Sequence, residues 1–373
     1  MEYPRQITTF QAAGILISTI IGVGVLPLPI FAVRAADSGA PLVTFLGTVV
    51  AFVGLAIVSF LGSRFPRQTM IQYSETILGK WPARFGSVFI IVFFAALTSL
   101  TAREFGEVVV TSVLKRTPLE VTVIVMLLLA AISTRNDMTT FAYIHHFYLP
   151  LIVGPALLIV VFSLQNAEWL NIQPLWGNDH KEMVKGVLTI ASLFQGTFVM
   201  TMIIPFMRRP EKAMKAAVGG ILVAGGLYVL TVTAVVAVFG AEETKRLLWP
   251  TLELAKTTSL PANVLERIDA AFLAVWVTAV FTTLFSTYYL TIHALSDLFR
   301  LRDHKMFSFG ILPFVFAMAM IPQNIRNMYD IIQIVGLIGL PITIAYPFLL
   351  LVVAAIRKKG VRHNAGGDNR KTH

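Results

Sequence analysis

A run of glycine and proline interrupts the first apolar segment of the chain, residues 10–31, and reads Gly22-Val23-Gly24-Val25-Leu26-Pro27-Leu28-Pro29. A segment of this length can span a bilayer as a helix, yet both residue types weaken helices. Because lipid offers no hydrogen-bond partners, a broken membrane helix persists only inside protein or beside a cavity. The N–H and C=O groups freed by such a break suit the carboxylate and ammonium groups of a small ligand. We therefore predict a ligand-binding site that includes Gly22, Val23, Gly24, Val25 and Leu26; the alternative is a kink or close helix packing.

A second interruption lies in the sixth apolar segment, where Gln195-Gly196-Thr197 falls midway and Pro205 follows. Folds built from inverted repeats place small ligands between two such broken helices, near the middle of the membrane. Isolated glycines are common in membrane helices, so the second break alone is weak evidence for a site. Its position, which corresponds to that of the first break, is what supports the prediction. We predict that Gln195, Gly196 and Thr197 form the other half of the site.

Hydroxyl side chains cluster in two further apolar segments. Thr98 and Thr101 lie in the third segment, and Thr283 and Thr287 lie one turn apart on a single face of the eighth. A lone threonine in a membrane helix usually donates its hydroxyl to a carbonyl of the preceding turn. Two clusters in corresponding segments instead favour a cavity lining, and we predict that these four threonines contact the ligand.

Ionisable residues are sparse within the apolar segments. Arg103, Glu104 and Glu107 lie near one end of the third segment, with Arg103 and Glu107 one helical turn apart. We expect all three at the membrane interface; a buried ion pair between Arg103 and Glu107 is the alternative. Asp297 and Arg300, near the end of the eighth segment, are expected to form a surface pair. No lysine within a span could replace a coupling ion and no sodium site is evident, so proton coupling has no predicted carrier.

Sequence motifs for catalysis, metals and cofactors are absent. The chain has no phosphate-binding loop, no zinc-binding helix motif and no nucleophile elbow. It also has no cysteine, which excludes disulfides, thiol catalysis and thiolate metal ligands. His145 and His146 are adjacent and therefore face different directions on a helix, which makes them a poor metal-binding pair. We predict that the protein is not an enzyme and has neither a cofactor nor a metal site.

The composition places these candidate residues in a membrane. Hydrophobic residues make up 56% of the 373 positions, charged residues only 13%, and the mean hydropathy is +0.75. Soluble domains carry about 25% charged residues, so we predict an integral membrane protein. The apolar segments predict ten transmembrane helices, near residues 10–33, 41–62, 84–106, 119–134, 139–164, 184–207, 215–239, 268–296, 306–322 and 330–356.

Ten spans divide into two halves of five, and an odd number per half makes the second half enter the membrane from the opposite side. We therefore predict an all-α integral membrane fold: ten transmembrane helices in a five-plus-five inverted repeat with broken first and sixth helices. The repeats would cover about residues 8–165 and 183–356, within a single transmembrane permease-like domain, residues 1–356. Residues 357–373 are polar and are predicted to form a cytoplasmic tail.

The distribution of charge predicts the orientation. Most of the 30 lysine and arginine residues fall on the side of the N-terminus, so both termini are predicted to be cytoplasmic. The net charge of +10 reflects this bias, and nucleic acid is not an expected partner. Residues 64–83 are predicted to form a short amphipathic helix at the membrane surface. Residues 240–267 are predicted to form a long outer loop that serves as a lid, a partner contact or a plain helical connector.

Three stretches of the sequence resemble the B-subunit family of spore nutrient germinant receptors, permease-like proteins of the amino acid–polyamine–organocation superfamily. The most specific stretch begins Trp249-Pro250 and runs through Glu266-Arg267 to Val277. The others are the glycine–proline run at residues 22–29 and the region from Pro205 to Pro210. The similarity extends over nearly the whole chain.

This resemblance implies a multi-pass protein of the spore inner membrane that binds a small nutrient, such as an amino acid. It implies partner subunits of the A type and the lipoprotein C type, with which the protein would start the release of ions and dipicolinate. It also implies that residues 22–26, residues 195–197 and the hydroxyl face of the eighth span line the germinant pocket.

Two other functions fit the same sequence. The first is an amino-acid transporter, which could be proton-coupled, and the second is a conduit that opens to ions or water when a ligand binds. The absence of a recognisable coupling-ion site favours sensing or conduction over coupled transport.

Overall fold

The computed structural model describes residues 6–176, 180–258, 268–301 and 303–359, and these ranges are helical apart from turns and one isolated parallel bridge between Ile7 and Met207. The helices of the first half are α1 (Thr9–Ile20), α2 (Leu28–Ala36), α3 (Ala40–Arg64), α4 (Met70–Leu78), α5 (Lys80–Ser112), α6 (Leu119–Ser133) and α7 (Met138–Ser163). Those of the second half are α8 (His180–Ser192), α9 (Met200–Ile203), α10 (Ala213–Arg246), α11 (Pro250–Thr257), α12 (Ile268–Phe299), α13 (Lys305–Gly310), α14 (Leu312–Ala319), α15 (Ile325–Leu340) and α16 (Tyr346–Ile356).

The first apolar segment is broken at the glycine–proline run. Helix α1 begins after Thr8, which exchanges capping hydrogen bonds with Gln11, and it ends at Ile20. A single 3₁₀ turn, Val23–Val25, follows, and helix α2 then begins at Leu28. Proline near the start of α2 is compatible with a helix, because the first N–H groups of a helix have no partner within it.

The sixth apolar segment is also broken. Helix α8 ends at Ser192, a 3₁₀ stretch follows at Gln195–Val199, and the two parts of the segment are bent by 41°. The two interruptions lie against each other: a Cβ added at Gly196 would lie only 2.9 Å from the carbonyl oxygen of Thr19. Glycine at this position therefore lets the two broken segments approach closely.

Six helical stretches within the described residues are long and apolar enough to cross a membrane: Leu28–Arg64, Lys80–Ser112, Met138–Asn166, Pro210–Arg246, Phe272–Phe299 and Ile325–Ile356. The bent pair Lys181–Ser192 and Gln195–Phe206 is a seventh candidate, and three shorter apolar helices occur at Thr9–Ile20, Leu119–Ser133 and Lys305–Ala319. The fold is thus that of a helical membrane protein. The count of ten spans, the inverted repeat and its boundaries stay predictions.

Helix α4 lies at one end of the bundle, and we call this end the α4 face. Its N-cap, Thr69, forms a capping box with Gln72, in agreement with the short helix predicted within residues 64–83. Glu75 of α4 accepts hydrogen bonds from Arg84 at 3.3 Å and from Arg300 at 2.5 Å. Partial burial tends to raise the pKa of Glu75, but the hydrogen bonds and charges of the two arginines lower it by more. The pKa of Glu75 therefore lies below its ordinary value. The ionised carboxylate therefore joins α4 to α5 and to the end of α12.

The predicted surface pair of Asp297 and Arg300 is wrong. Asp297 accepts hydrogen bonds from the Thr69 hydroxyl at 2.5 Å and from Gln72 Nε2 at 2.9 Å, whereas Arg300 pairs with Glu75. These hydrogen bonds form because α4 packs against the end of α12. This contact joins residues more than 200 positions apart, which no local pattern reveals.

The prediction that Arg103, Glu104 and Glu107 lie at the membrane interface is also wrong, because all three are buried in the protein. The alternative ion pair is confirmed: Arg103 Nη2 lies 2.8 Å from Glu107 Oε1, and Arg103 Nε donates to the same oxygen at 3.0 Å. Arg103 Nη1 also donates to the carbonyl oxygen of Ala319 at 3.3 Å. The pair therefore links α5 to the end of α14.

Truncation of one member of this pair is expected to destabilise the protein more than removal of both. Glu107→Ala leaves the Arg103 cation buried without its anion, which costs about 3–5 kcal/mol in buried pairs of this kind. The double variant Arg103→Met, Glu107→Leu removes both charges and should lose less. The unfolding free energy in detergent checks this expectation, and an equal loss in the single and double variants would contradict it.

The opposite end of the bundle carries α11, and we call it the α11 face. Helix α10 has a break at Gly240, whose positive φ of 73° favours glycine, and it ends at Arg246 before α11 begins at Pro250. Part of the predicted outer loop is thus helical. Residues 259–267, including Glu266-Arg267, and residues 360–373 of the predicted tail lie outside the described part of the chain.

Candidate functional site

A cavity of about 70 Å³ lies between the two helix interruptions, and both contribute residues to its lining. Helices α5, α12 and α15 close its other sides, because each contributes residues to the lining. This volume corresponds to several water-sized spaces, so the cavity fits a small molecule. A larger groove of about 460 Å³ lies between α3 and α10, but its lining is apolar apart from Thr48, which suits hydrocarbon rather than a polar ligand.

Seven of the twelve residues predicted to bind ligand line this cavity: Val23, Gly24, Thr101, Gln195, Gly196, Thr283 and Thr287. The first three come from the first break and α5, the next two from the second break, and the last two from α12. The structure thus brings four separate parts of the sequence to one cavity. Their contact with a ligand stays a prediction.

The other five predicted residues lie outside this lining. Gly22 packs against α12, Val25 lines a second, apolar cavity of about 30 Å³, and Leu26 is completely buried. Thr98 donates its hydroxyl to the carbonyl of Phe94 in the preceding turn, as the alternative interpretation of isolated threonines expects. Thr197 is buried, and its backbone N–H donates to the carbonyl of Phe194.

Side chains from neighbouring helices bind the carbonyl groups that the first break leaves without a helical partner. Thr283 Oγ1 donates to the carbonyl of Thr19 at 3.0 Å, and Thr282 Oγ1 donates to that of Ser18 at 2.9 Å. The carbonyl of the next residue, Ile20, accepts from the Tyr228 hydroxyl of α10 at 2.7 Å. These bonds satisfy a backbone that lipid could not, and they hold the break in one conformation.

Helix α11 holds the later part of the first break. Thr251, at the start of α11, donates its hydroxyl to the carbonyl of Val25 at 2.7 Å. The predicted outer loop therefore has a defined contact: its helix binds the backbone of the broken segment directly. Because the loop reaches the break by a hydrogen bond, movement of one would alter the other.

A buried polar chain continues from the cavity into α7. The hydroxyls of Thr19 and Ser286 are 2.7 Å apart, and Ser286 Oγ lies 2.8 Å from His145 Nε2. His145 Nδ1 lies 2.9 Å from the carbonyl oxygen of Phe141, and Nε2 also lies 3.3 Å from the carbonyl oxygen of Thr282. His145 therefore has a structural hydrogen-bonding role that joins α7 to α12 and α1.

Glu104 is a cavity residue that the sequence analysis placed elsewhere. It lines the cavity together with Leu97, Leu100 and Thr101, all on one face of α5. The spacing of Thr101 and Glu104, three residues apart, was the available signal, since such residues share a helix face. The neighbouring Arg103 and Glu107 lie one turn apart and pair with each other, and neither lines the cavity.

Gln195 lines the cavity, and its side chain contacts α15. Its Nε2 donates to the carbonyl of Gly336 on α15 at 2.5 Å, whereas its Oε1 is buried without a hydrogen-bond partner in the described structure. A buried acceptor of this kind is costly unless a ligand or water donates to it.

Residues 6–328 match the sequence model of a family described as spore germination protein. The chain belongs to the spore germination protein family. The family resemblance predicted from the sequence is thus confirmed.

Relatives of this spore germination protein align along almost their whole length. Spore germination protein YndE of Bacillus subtilis (strain 168) is 29% identical, and the alignment covers 95% of this chain and 98% of the relative. Spore germination protein B2 of the same organism is 24% identical, with 95% and 97% covered. Spore germination protein GerLB of Bacillus cereus is 24% identical, with 94% of each chain covered.

Two solved transporters share the fold of this spore germination protein. A Na⁺-coupled sialic acid symporter, in a substrate-bound outward-open state, superposes with a TM-score of 0.68 at 13% identity, covering 92% of this chain and 78% of its own. Mhp1, a nucleobase-cation-symport-1 family transporter in a closed conformation with bromovinylhydantoin bound, has a TM-score of 0.62 at 13% identity, with 95% and 78% covered. The chain is therefore a germination permease-like membrane protein and not an enzyme.

Proposed function

We propose that this spore germination protein is a nutrient sensor that binds a small germinant, an amino acid, in the cavity between its two broken helices. The observation that carries the proposal is the position of the cavity, because both helix interruptions contribute residues to one partly polar space. Membership in a germination family indicates that the response is germination, and the transporter-like fold supports binding of a small molecule.

The chemistry of the lining agrees with an amino-acid ligand. Half-helix ends expose N–H groups that suit a carboxylate, and the cavity also contains oxygen acceptors that suit an ammonium group. The predicted ligand-binding set is the one derived from the sequence: Gly22, Val23, Gly24, Val25, Leu26, Thr98, Thr101, Gln195, Gly196, Thr197, Thr283 and Thr287. Five members would act by shaping the wall, because none of them lines the space itself: Gly22, Val25, Leu26, Thr98 and Thr197.

We further propose the cellular setting. The protein would lie in the spore inner membrane as ten spans in a five-plus-five inverted repeat, with both termini cytoplasmic, and would signal with A-type and C-type partner subunits. The alignment with germination proteins over nearly the whole chain supports this setting.

The orientation can be tested with single cysteines, since the native chain has none. Arg67 is exposed on the α4 face and Lys256 is exposed on α11. We expect Arg67→Cys to react with a membrane-impermeant maleimide only after the inside of vesicles is opened, and Lys256→Cys to react without opening. Reaction of both from the same side, or the reverse pattern, would contradict the proposed orientation.

Reconstitution in proteoliposomes tests sensing against the two other functions. If the protein is a sensor, radiolabelled L-amino acids should bind saturably but should not accumulate inside, with or without an imposed proton gradient. Sustained concentrative uptake would establish a transporter, and amino-acid-dependent ion or water flux without uptake would establish a conduit. Either result would contradict a purely sensing role.

A further inference from the structure

Glu104 places a carboxylate in the cavity without a balancing cation. The side chain is 2% exposed, and its one hydrogen bond to the described residues comes from the Tyr329 hydroxyl, at a long 3.4 Å. The adjacent Arg103 is occupied by Glu107 and by the carbonyl of Ala319. Among the described residues that line the cavity, none is lysine, arginine or histidine. A buried carboxylate in such surroundings requires a proton or a cation from elsewhere.

Gln195 supplies a second, independent indication of what the cavity binds. Its amide orientation is fixed, because Nε2 donates to the carbonyl of Gly336 and a carbonyl can only accept. Oε1 is consequently an acceptor, it is buried, and no described group donates to it. Two acceptors from different segments of the chain, the Glu104 carboxylate without a cation and Gln195 Oε1 without a donor, thus belong to residues that line one cavity.

Two of the hydroxyls that line the cavity already donate to carbonyl groups. Thr283 already donates its proton to the carbonyl of Thr19, and Thr287 donates to the carbonyl of Leu284. Their oxygen atoms keep only acceptor capacity. The wall therefore calls for a ligand group that donates several hydrogen bonds and carries positive charge.

We propose that Glu104 and Gln195 Oε1 together bind the ammonium group of the ligand. A primary ammonium has three N–H donors and the charge that Glu104 lacks. This assignment rests on the proposed function and sharpens it. The site selects for ligands with a free amine, and it places the amine between Glu104 of α5 and the side chain of Gln195, with the carboxylate toward the backbone N–H groups of the interruptions. Compounds of the same size that lack the amine leave Glu104 unpaired, and the cavity rejects them.

The test uses the full-length protein in nanodiscs and measures thermal stabilisation and binding affinity. The probes are the twenty L-amino acids, L-alaninamide and ethylamine, which carry an ammonium group, and N-acetyl-L-alanine and L-lactate, which do not. We expect stabilisation by at least one ammonium compound and by neither of the two compounds without one. Glu104→Gln should weaken that affinity roughly ten- to hundredfold, since it removes a charged hydrogen-bond partner while keeping the size of the side chain.

Two further variants keep the test decisive. Glu104→Asp retains the charge and should bind with intermediate affinity. Glu120→Gln changes an exposed acid outside the cavity and should bind like the native protein.

Stabilisation by L-lactate or N-acetyl-L-alanine, or an unchanged amino-acid affinity in Glu104→Gln, overturns the assignment while the proposed amino-acid sensor stands. If Glu104→Gln keeps the affinity but abolishes proton uptake on binding, Glu104 carries a proton instead, and the assignment is again overturned. If no probe with an ammonium group binds the native protein, the assignment and the proposed function both fail.

Discussion

Spores whose nutrient response depends on this protein are expected to lose their amino-acid response when Gly24 is replaced by leucine. Gly24 lines the cavity, and a Cβ added there would lie 3.8 Å from the Tyr228 hydroxyl and 3.9 Å from Leu193, which is ordinary contact. The first side-chain atom is therefore tolerated, whereas the rest of a leucine side chain would fill the small cavity. We expect a complete loss of germination at amino-acid concentrations that saturate the native response.

Two control variants separate loss of the cavity from loss of the protein. Gly24→Ala should respond, with reduced sensitivity, because its single methyl group fits. Gly219→Leu, on α10 where an added Cβ meets no atom within 4 Å, should respond normally. Immunoblots of spore membranes must show equal amounts of each variant. A normal response in Gly24→Leu at native abundance would remove the first break from the binding site.

The Gly22→Ala variant is expected to be defective for a different reason, namely steric conflict with α12. A Cβ at position 22 would lie 2.0 Å from Thr283 Oγ1 and 2.7 Å from Thr283 Cβ, which is too close for either atom. Rotation of the threonine side chain cannot move its Cβ, so the break or α12 must shift. Overpacking of this kind costs about 1–3 kcal/mol, and here it also displaces the hydroxyl that holds the carbonyl of Thr19.

A second substitution tests this explanation directly. In Gly22→Ala, Thr283→Gly the space for the new methyl group is restored, so the double variant should regain stability relative to Gly22→Ala alone. The coupling between the two positions is measured from thermal unfolding of the native protein, both single variants and the double variant. Additive losses would show that Gly22 and Thr283 do not conflict.

The main elements of the site were predictable because they depend on residue types with strong local effects. Glycine and proline in an apolar segment predicted the first break, and α1 does end at Ile20 with α2 starting at Leu28. The second break at Gln195 was also located from composition. Helical spacing placed Thr283 and Thr287 on one face, and both line the cavity.

The parts that sequence reasoning missed depend on contacts between distant segments. Glu104 was assigned to the membrane interface because hydropathy places it near the end of a span, whereas its burial follows from the packing of α5 against α12 and α15. Gln195 Oε1 lacks a donor because the Nε2 of the same amide binds the carbonyl of Gly336, which lies far along the chain. The hydroxyl of Thr251 likewise gains its role from the carbonyl of Val25. Periodicity assigns a residue to a helix face, but the identity of the partner on that face requires the fold.

Equilibrium binding to the purified protein tests the central claim, that the cavity between the broken helices binds an amino acid. The native protein and the Gly24→Leu and Gly219→Leu variants would be titrated in nanodiscs with each of the twenty L-amino acids. We predict saturable binding of at least one amino acid, with one site per chain, by the native protein and Gly219→Leu, and none by Gly24→Leu. Binding of equal affinity to Gly24→Leu, or no binding of any amino acid to the native protein, would contradict the claim.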